Sequence, residues 1–368
     1  MPLTPSTTAR ERDNTPPVPP GSVIGILGGG QLGRMLSLAA ARMGYTCHIY
    51  TPDHDSPASM VSAMTTVAPW DSRDHLATFA DRVDVITLEF ENIPLDCLDF
   101  LSQRTRVHPA RPALETAQDR IKEKTFFSAF ARTAPWAPVF SENDLMHAVE
   151  VTGTPAILKT NRLGYDGKGQ VRIETQADLL KAWDALKTDC AILEGFVAFR
   201  GEASILIARG RNGETASWEL AWNEHRNHIL DTSSVPAPVS PAVADEALRI
   251  ACEAANRLDL TGLLALEFFI AHDDRVLVNE MAPRPHNSGH WTMDGSYTDQ
   301  FEQAIRAVCG LPLGDTRRRC AVTMKNLLGH DVTNWPMILE NPLARLHLYG
   351  KASPRPGRKM GHINFLEG

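Results

Sequence analysis

Glu267 and Glu280 sit within two apolar runs, LLALEFFIA (263–271) and VLVNEMAP (276–283), with Asp273 and Asp274 between them. Asp-Asp between two β-rich runs marks a turn. If those two residues form the loop, 272 pairs with 275 and Glu267 falls directly opposite Glu280. Opposed carboxylates destabilise a hairpin, so this placement calls for a compensating cation. Mg²⁺ prefers one or two carboxylates plus substrate phosphates and fits the pattern. The alternatives are a register shift that separates the acids, or one carboxyl kept protonated by a raised pKa.

Upstream, ILKTNRLGYDGKGQVRI (157–173) reads as strand, cationic glycine loop and strand. Lys159 at a strand end can neutralise phosphate. Gly164, Gly167 and Gly169 let the loop fold over a ligand and donate backbone N–H groups. No GK[ST] opens a helix after it, so it is not a P-loop. Three glycines and two lysines within 159–169 favour a lid over phosphates against a solvated surface hairpin. The segment Glu194-Gly195-Phe196-Val197 follows an apolar strand, where backbone groups can read an adenine edge, and Glu202 beyond it could accept from ribose hydroxyls; a plain surface acid is the alternative.

Two polar clusters follow. RPHNSGHWT (284–292) comes directly after the acidic hairpin, so its donors can surround whatever reacts there. Lys351, Arg355, Arg358 and Lys359 put four cations in nine residues of an acidic chain. They form either an anion site or a solvated basic tail. At the other end, GGGQLG (28–33) brings backbone N–H groups and a helix N-terminus toward an anion. Asp53 lies 20 residues beyond Gly33, as a ribose-binding acid would. Dinucleotide binding, another anionic ligand and a purely structural turn all remain open for this motif.

The elements that must position these groups fall into two styles. A strand at 22–27, a helix from 34 to 43, and strands at 46–50 and 83–90 indicate a parallel doubly wound sheet to about residue 110. From Arg120 the chain changes to a helix through Lys122, Phe126 and Phe130. Short strands then follow at 156–159, 169–173, 191–194, 203–208 and 216–221, with a helix at 243–258 before the acidic hairpin. The second half therefore reads as α+β on antiparallel sheet. Residues 1–21, rich in Pro, Thr and Ser, read as a disordered or loosely attached tail without a signal-peptide core.

The composition narrows the function classes. The 368 residues carry 37 Lys+Arg against 44 Asp+Glu, a net charge of −7, which argues against general nucleic-acid binding. With 43% hydrophobic and 22% charged residues and no long apolar run, the chain reads as globular with no membrane span. The six cysteines are scattered singly, with no zinc spacing, so reduced thiols in a cytoplasmic protein are expected.

The ordered series of Lys159 with GYDGKGQ, the 194–202 segment, Glu267 with Asn279-Glu280, and APRPHNSGHWT resembles ATP-grasp enzymes. With GGGQLGRM (28–35), LEFENIP (88–94) and RPGRKMGHIN (355–364), the chain more narrowly resembles the N(5)-carboxyaminoimidazole ribonucleotide synthetase family of purine biosynthesis, over residues 22 to 364. The resemblance implies an ATP-grasp fold, mixing α/β and α+β. A Rossmann-like pre-ATP-grasp domain would span 22–115 and an ATP-grasp domain 116–310, with a lid subdomain at about 150–210. An antiparallel-sheet segment, 311–368, would complete the substrate site. The implied activity is carboxylation of 5-aminoimidazole ribonucleotide with bicarbonate and ATP through carboxyphosphate, by a C–N ligase that is commonly a homodimer.

By the same resemblance, Glu267 and Glu280 would hold Mg²⁺. ATP would meet Arg120, Lys159, Gly164, Tyr165, Asp166, Gly167, Lys168, Gly169, Gln170, Glu194, Gly195, Phe196, Val197, Glu202, His225, Asn279 and Glu280. The ribonucleotide would meet Gln31, Leu32, Glu89, Tyr165, Asp166, Arg284, His286 and Asn287, with Lys351, Arg358 and Lys359 at its 5′-phosphate. Lys159, Arg284, His286 and Asn287 would be catalytic. GGGQLG then becomes a glycine turn facing the second substrate. The competing assignments are another ATP-grasp ligase, such as formate-dependent glycinamide ribonucleotide transformylase, and, in a different class, an NAD-dependent oxidoreductase or a nucleotide-binding regulator.

Overall fold

The structure, a computed structural model, describes residues 15–164 and 168–367. The N-terminal unit is a parallel sheet in the order β3-β2-β1-β4, formed by β1 (Val23–Leu27), β2 (Thr46–Thr51), β3 (Met64–Val67) and β4 (Val85–Leu88). Helices α1 (Gln31–Arg42), α2 (Arg73–Ala80), α3 (Leu95–Ser102) and α4 (Arg111–Ala117) accompany it. The strand expected at 83–90 is only four residues long, and β3 was not anticipated. Its MTTV run has one exposed face and too few apolar residues to show in the sequence pattern.

Helix α5 (Arg120–Ser128), N-capped by Asp119, leads into a small antiparallel sheet. That sheet has the order β5-β8-β6-β7, from β5 (Trp136–Val139), β6 (Ala156–Thr160), β7 (Gln170–Ile173) and β8 (Ala191–Gly195). Helices α6 (Glu142–Thr152) and α7 (Leu179–Leu186) cover one face. This lid sheet runs from 136 to 195, so it begins and ends earlier than the 150–210 expected. The next strand, β9 (Phe199–Arg209), already belongs to the large sheet.

That sheet has nine strands. They are β9, β10 (Thr215–Ser217), β11 (Ala221–Arg226), β12 (Ile229–Val235), β13 (Gly262–Ala271), β14 (Val276–Ala282), β15 (Val322–Leu328), β16 (Ala344–Leu348) and β17 (Lys359–Leu366). The order is β14-β13-β9-β11-β12-β15-β17-β16, with β10 on β9. The single strand expected at 216–221 is split, because Trp218 and Leu220 turn into two different cores between β10 and β11. Helix α8 (Pro241–Arg257) packs its Val243/Ala247/Ile250/Ala254 face on Leu264, Leu266 and Phe268 of β13. The short α9 (Thr292–Gly295) and α10 (Gln300–Cys309) follow the acidic hairpin.

The C-terminal strands thus extend the same sheet that carries the acidic hairpin. Stacked imidazoles hold them in place: His290 lies 4.6 Å from His362, which lies 4.6 Å from His347. Asn364 adds hydrogen bonds to the His290 carbonyl and to Asp294. Burial drives His290 and His362 well below the usual histidine range, so those two rings are neutral.

The tail expectation needs correcting for residues 15–21. Val18 is 2% exposed, its N–H donates to Cys309 O, and its carbonyl accepts from the Tyr45 hydroxyl. One apolar residue in a Pro-rich run is enough to pin the segment between α1 and α10. Residues 1–14 lie outside the described residues. Among the described residues no helix is long and apolar enough to cross a membrane.

Candidate active site

A cavity of about 1040 Å³ opens between the lid sheet and the large sheet. Its floor is made by alternate residues of β13, Ala265, Glu267 and Phe269, with Glu202 of β9 and His225 of β11. Period-2 alternation explains the choice: Leu264, Leu266 and Phe268 point to the α8 core, so 265, 267 and 269 face the cleft. The roof is Ile157 and Lys159 of β6, Gln170 and Arg172 of β7, and Phe196. Arg120, Glu123, Arg284, His286, Asn287 and Lys359 close the sides.

Glu267 does pair with Glu280, but not through a two-residue turn. Ala271 pairs with Arg275 around a three-residue loop, with Asp274 at φ 62°. Continued regularly, that register would put Asn279 opposite Glu267. A bulge between Glu267 and Phe268 on the pairing path restores Glu280 instead. Bulges re-aim side chains at functional sites, and here Asn279 and Glu280, adjacent in sequence, both line the cavity.

The carboxylate pair fits a divalent cation. Burial and the facing Glu280 push the Glu267 carboxyl up, as expected of two acids held close together in a buried site. His286 Nε2 lies 3.4 Å from Glu267 and Arg120 3.8 Å from Glu280, so each acid has only a distant neutral or cationic neighbour. Burial and the Arg284 charge keep His286 well below the usual histidine range, hence neutral.

Lys159 is held by a buried anion, Glu194. Glu194 was expected at the adenine. Its carboxylate accepts from Lys159 Nζ at 2.8 Å, with Lys124 Nζ at 3.4 Å on its other oxygen. Burial opposes its charge, yet the two lysines hold it down to about 2. Gly195 and Val197 are likewise off the cavity wall. Phe196 and Phe199 remain as the apolar faces, the latter stacked on Phe269 at 4.7 Å and the former under Arg172 at 4.6 Å. Glu202 does face the cleft, and its carboxylate holds His225 Nδ1 at 2.6 Å. That contact raises the imidazole pKa against the lowering effect of burial.

At the other end of the cavity Arg284 forms a two-pronged ion pair with Glu91, one prong at 3.1 Å. Glu91 was overlooked within LEFENIP, although an acid three residues past the end of β4 was a visible signal. Asn287 carries the most direct mark of a ligand site: both polar atoms of its buried side-chain amide lack a protein partner. Lys359 also lines the cavity, as do Gly164, Lys168 and Gln170 from the lid loop. Gly169 does not; Tyr165, Asp166 and Gly167 lie outside the described residues.

The N-terminal glycine turn is filled from within. Glu89 reaches its carboxylate under α1 and accepts from the backbone N–H groups of Gly30 and of Gly33, the latter at 3.0 Å. The anion-binding end of this helix is therefore taken by the protein's own acid, and Asp53 is a surface residue. This removes the basis for a dinucleotide site. The Leu32 side chain faces the core at 8% exposure. Gln31, Glu89, Lys351 and Arg358 stand outside the main cavity wall. Glu89 and Lys351 nevertheless feel each other's charge, and Glu89 feels Arg284, so this group borders the same end of the cleft. Burial, with Arg358 nearby, brings Lys351 down to about 8.

A lid sheet that offers a lysine and a glycine loop, facing a large sheet that offers opposed carboxylates, defines an ATP-grasp ligase. Residues 22–118 match the ribonucleotide synthetase pre-ATP-grasp domain, 125–301 the ATP-grasp domain, and 322–368 the phosphoribosylaminoimidazole carboxylase C-terminal domain. N5-carboxyaminoimidazole ribonucleotide synthase of Brucella melitensis is 49% identical over 95% of this chain and 97% of its own length. The bifunctional purine synthesis protein of Dictyostelium discoideum is 44% identical, and the chain spans 37% of that protein's length. A crystal structure of an N5-carboxyaminoimidazole ribonucleotide synthetase with ADP superposes at TM-score 0.92 and 39% identity, covering 96% of this chain and 94% of that one. The Aspergillus clavatus enzyme, crystallised with ADP and 5-aminoimidazole ribonucleotide, superposes at 0.87 with 28% identity, covering 94% of each chain. The chain belongs to the N5-carboxyaminoimidazole ribonucleotide synthase family.

Proposed function

We propose that this chain carboxylates the exocyclic amine of 5-aminoimidazole ribonucleotide with bicarbonate, coupled to cleavage of ATP to ADP and phosphate, in purine biosynthesis. One observation carries the reading. Lys159 and the Glu267/Glu280 pair share a single cavity with Arg284, His286 and the unpartnered amide of Asn287. Groups suited to a nucleoside triphosphate and groups suited to a second, polar substrate thus line one space. The A. clavatus relative, crystallised with ADP and the ribonucleotide, supports the choice of acceptor.

Bicarbonate oxygen would attack the γ-phosphorus, ADP leaving, to give carboxyphosphate. The amine nitrogen then bonds to the carboxyl carbon, either as the C–O bond to phosphate breaks or after that bond has broken to free CO₂, and the departing phosphate takes up the proton the amine loses. Lys159 and Arg120 would neutralise phosphate oxygens as charge moves to ADP. Glu194 keeps the Lys159 ammonium aimed. The lid loop over the cavity would keep water from the acyl phosphate. Arg284, fixed by Glu91, would offer its guanidinium to an anion, and neutral His286 would give a hydrogen bond without adding charge beside the carboxylates. Glu267 and Glu280, with the Asn279 amide beside them, would hold Mg²⁺, which when bound neutralises ATP phosphate charge. Phe196, Phe199 and Phe269 offer flat apolar faces for the base, and Glu202 an acceptor for ribose hydroxyls. Lys351, Arg358 and Lys359 would serve the 5′-phosphate.

Six free cysteines fit the reducing cytoplasm, and we assign the reaction there. The homodimer implied by the resemblance would appear in light scattering as twice the chain mass. The deciding assay measures phosphate release with aminoimidazole ribonucleotide plus bicarbonate against glycinamide ribonucleotide plus formate. Turnover with the first pair alone is expected; turnover with only the second would overturn the assignment.

A further inference from the structure

Strand β14 is an edge strand of the large sheet, so one row of its backbone groups has no strand partner. Such groups must be satisfied when buried. Val278 N–H donates to Arg132 O at 2.8 Å. The two groups that bracket Glu280 are taken by side chains of α5. Asn279 O accepts from Lys124 Nζ at 2.7 Å, and Met281 N–H donates to Glu123 Oε1 at 2.6 Å. Both α5 residues are 2% exposed. Placing an ammonium and a carboxylate there costs desolvation that apolar packing would avoid, so the contacts do something packing would not.

The same helix reaches the rest of the nucleotide machinery. Lys124 contacts Glu194, which holds Lys159. The α5 N-terminus binds the start of the lid loop, with Arg120 N–H and Ile121 N–H donating to Asn161 and the Arg120 guanidinium to Gly164 O. The bulge that brings Glu280 opposite Glu267 is a one-residue register choice, and a slip of one residue turns each side chain to the other face. Glu123 and Lys124 grip the backbone on either side of that choice.

We propose that Glu123 and Lys124 are positioning residues that act as a surrogate strand edge. They fix the Asn279-Glu280 bulge and tie it through Glu194 to Lys159. The assignment rests on the reading of Glu267 and Glu280 as cation ligands and Lys159 as a phosphate ligand. It predicts that reach, rather than charge, is what matters at position 123.

The test uses Mn²⁺ as an EPR-visible probe of cation binding to the full chain with ADP, alongside KM for ATP and kcat. Glu123→Gln keeps an acceptor oxygen at full reach and should hold Mn²⁺ affinity within about threefold. Glu123→Asp keeps the carboxyl group but falls one methylene short, and should weaken Mn²⁺ about 10- to 100-fold, the range for groups that orient metal ligands. Lys124→Met should do the same and raise KM for ATP, while Lys124→Arg recovers part of the loss. Wild-type affinity in the Asp variant, or loss in Gln with retention in Asp, would overturn the proposal. If Lys124→Met does not fold, the Gln/Asp pair decides alone. A wild-type protein that binds ADP but no Mn²⁺ would remove the reading of Glu267 and Glu280, and this proposal with it; normal wild-type binding with unaffected variants would remove only the proposal.

Discussion

Replacing Glu194 by Gln changes one buried charge and almost no volume. The side chain is 5% exposed and lies between Lys159 at 2.8 Å and Lys124 at 3.4 Å. A carboxyl held at about 2 rather than 4.5 favours its charged form by about 3 kcal/mol. Breaking a buried pair from one side costs about 3–5 kcal/mol, because the partner charge stays behind. Glu194→Gln should therefore lose about 3 kcal/mol at pH 7, read by urea denaturation with an unchanged m-value. The sign is fixed by linkage: a depressed acid contributes its stability above the unfolded pKa and loses it as pH falls through the folded one. The gap between wild type and variant should thus be full above about pH 4.5 and shrink toward pH 2. Adding Lys124→Met to the variant should restore part of the loss, since one uncompensated ammonium is removed. A loss below about 1 kcal/mol, or a gap as large at pH 3 as at pH 7, would show that Glu194 is not the counter-ion of this pair.

Three further outcomes follow from the same geometry. Glu280→Gln should cut ATP-dependent phosphate release about 100-fold or more while far-UV circular dichroism stays unchanged; retained turnover would refute the cation assignment. Burial raises Glu123 to about 8, and a raised acid stabilises most below its unfolded pKa and loses that contribution as pH rises through the folded one. The nucleotide-free protein should accordingly lose thermal stability between about pH 6.5 and pH 8, above the range where the low-pKa histidines titrate when unfolded; Glu123→Gln should reduce this slope, the remainder coming from Glu267. Gly28→Ala should be more destabilising than Gly153→Ala by over 1 kcal/mol. Both positions have positive φ, but only at Gly28 would the new Cβ meet Glu89, at 2.4 Å; equal losses in thermal melts would deny that Glu89 fills the turn.

The part of the site that was legible in sequence was local. Lys159 with its glycine loop, the acidic hairpin, the 284–292 run and Lys359 are each short motifs whose chemistry is visible in residue type and spacing. Helix and strand positions followed from periodicity for α1, α8, β1, β6 and β13, where burial of one face imposes the pattern. The opposed glutamates were found through a wrong turn: the loop has three residues, and a bulge that no pattern announces put the pair back in register.

What sequence alone determined, then, is the inventory of reacting groups and the elements that bear them, because both depend on neighbours within a few residues. Tertiary structure decided what each charge faces. It made Glu194 the anchor of Lys159, filled the glycine turn with Glu89, joined Arg284 to Glu91, and laid Glu123 and Lys124 against the edge of β14. Each of those pairings spans 35 to 193 residues of chain. A carboxylate's role is set by the charge or N–H group that meets it, and across such separations only the packed fold brings the two together.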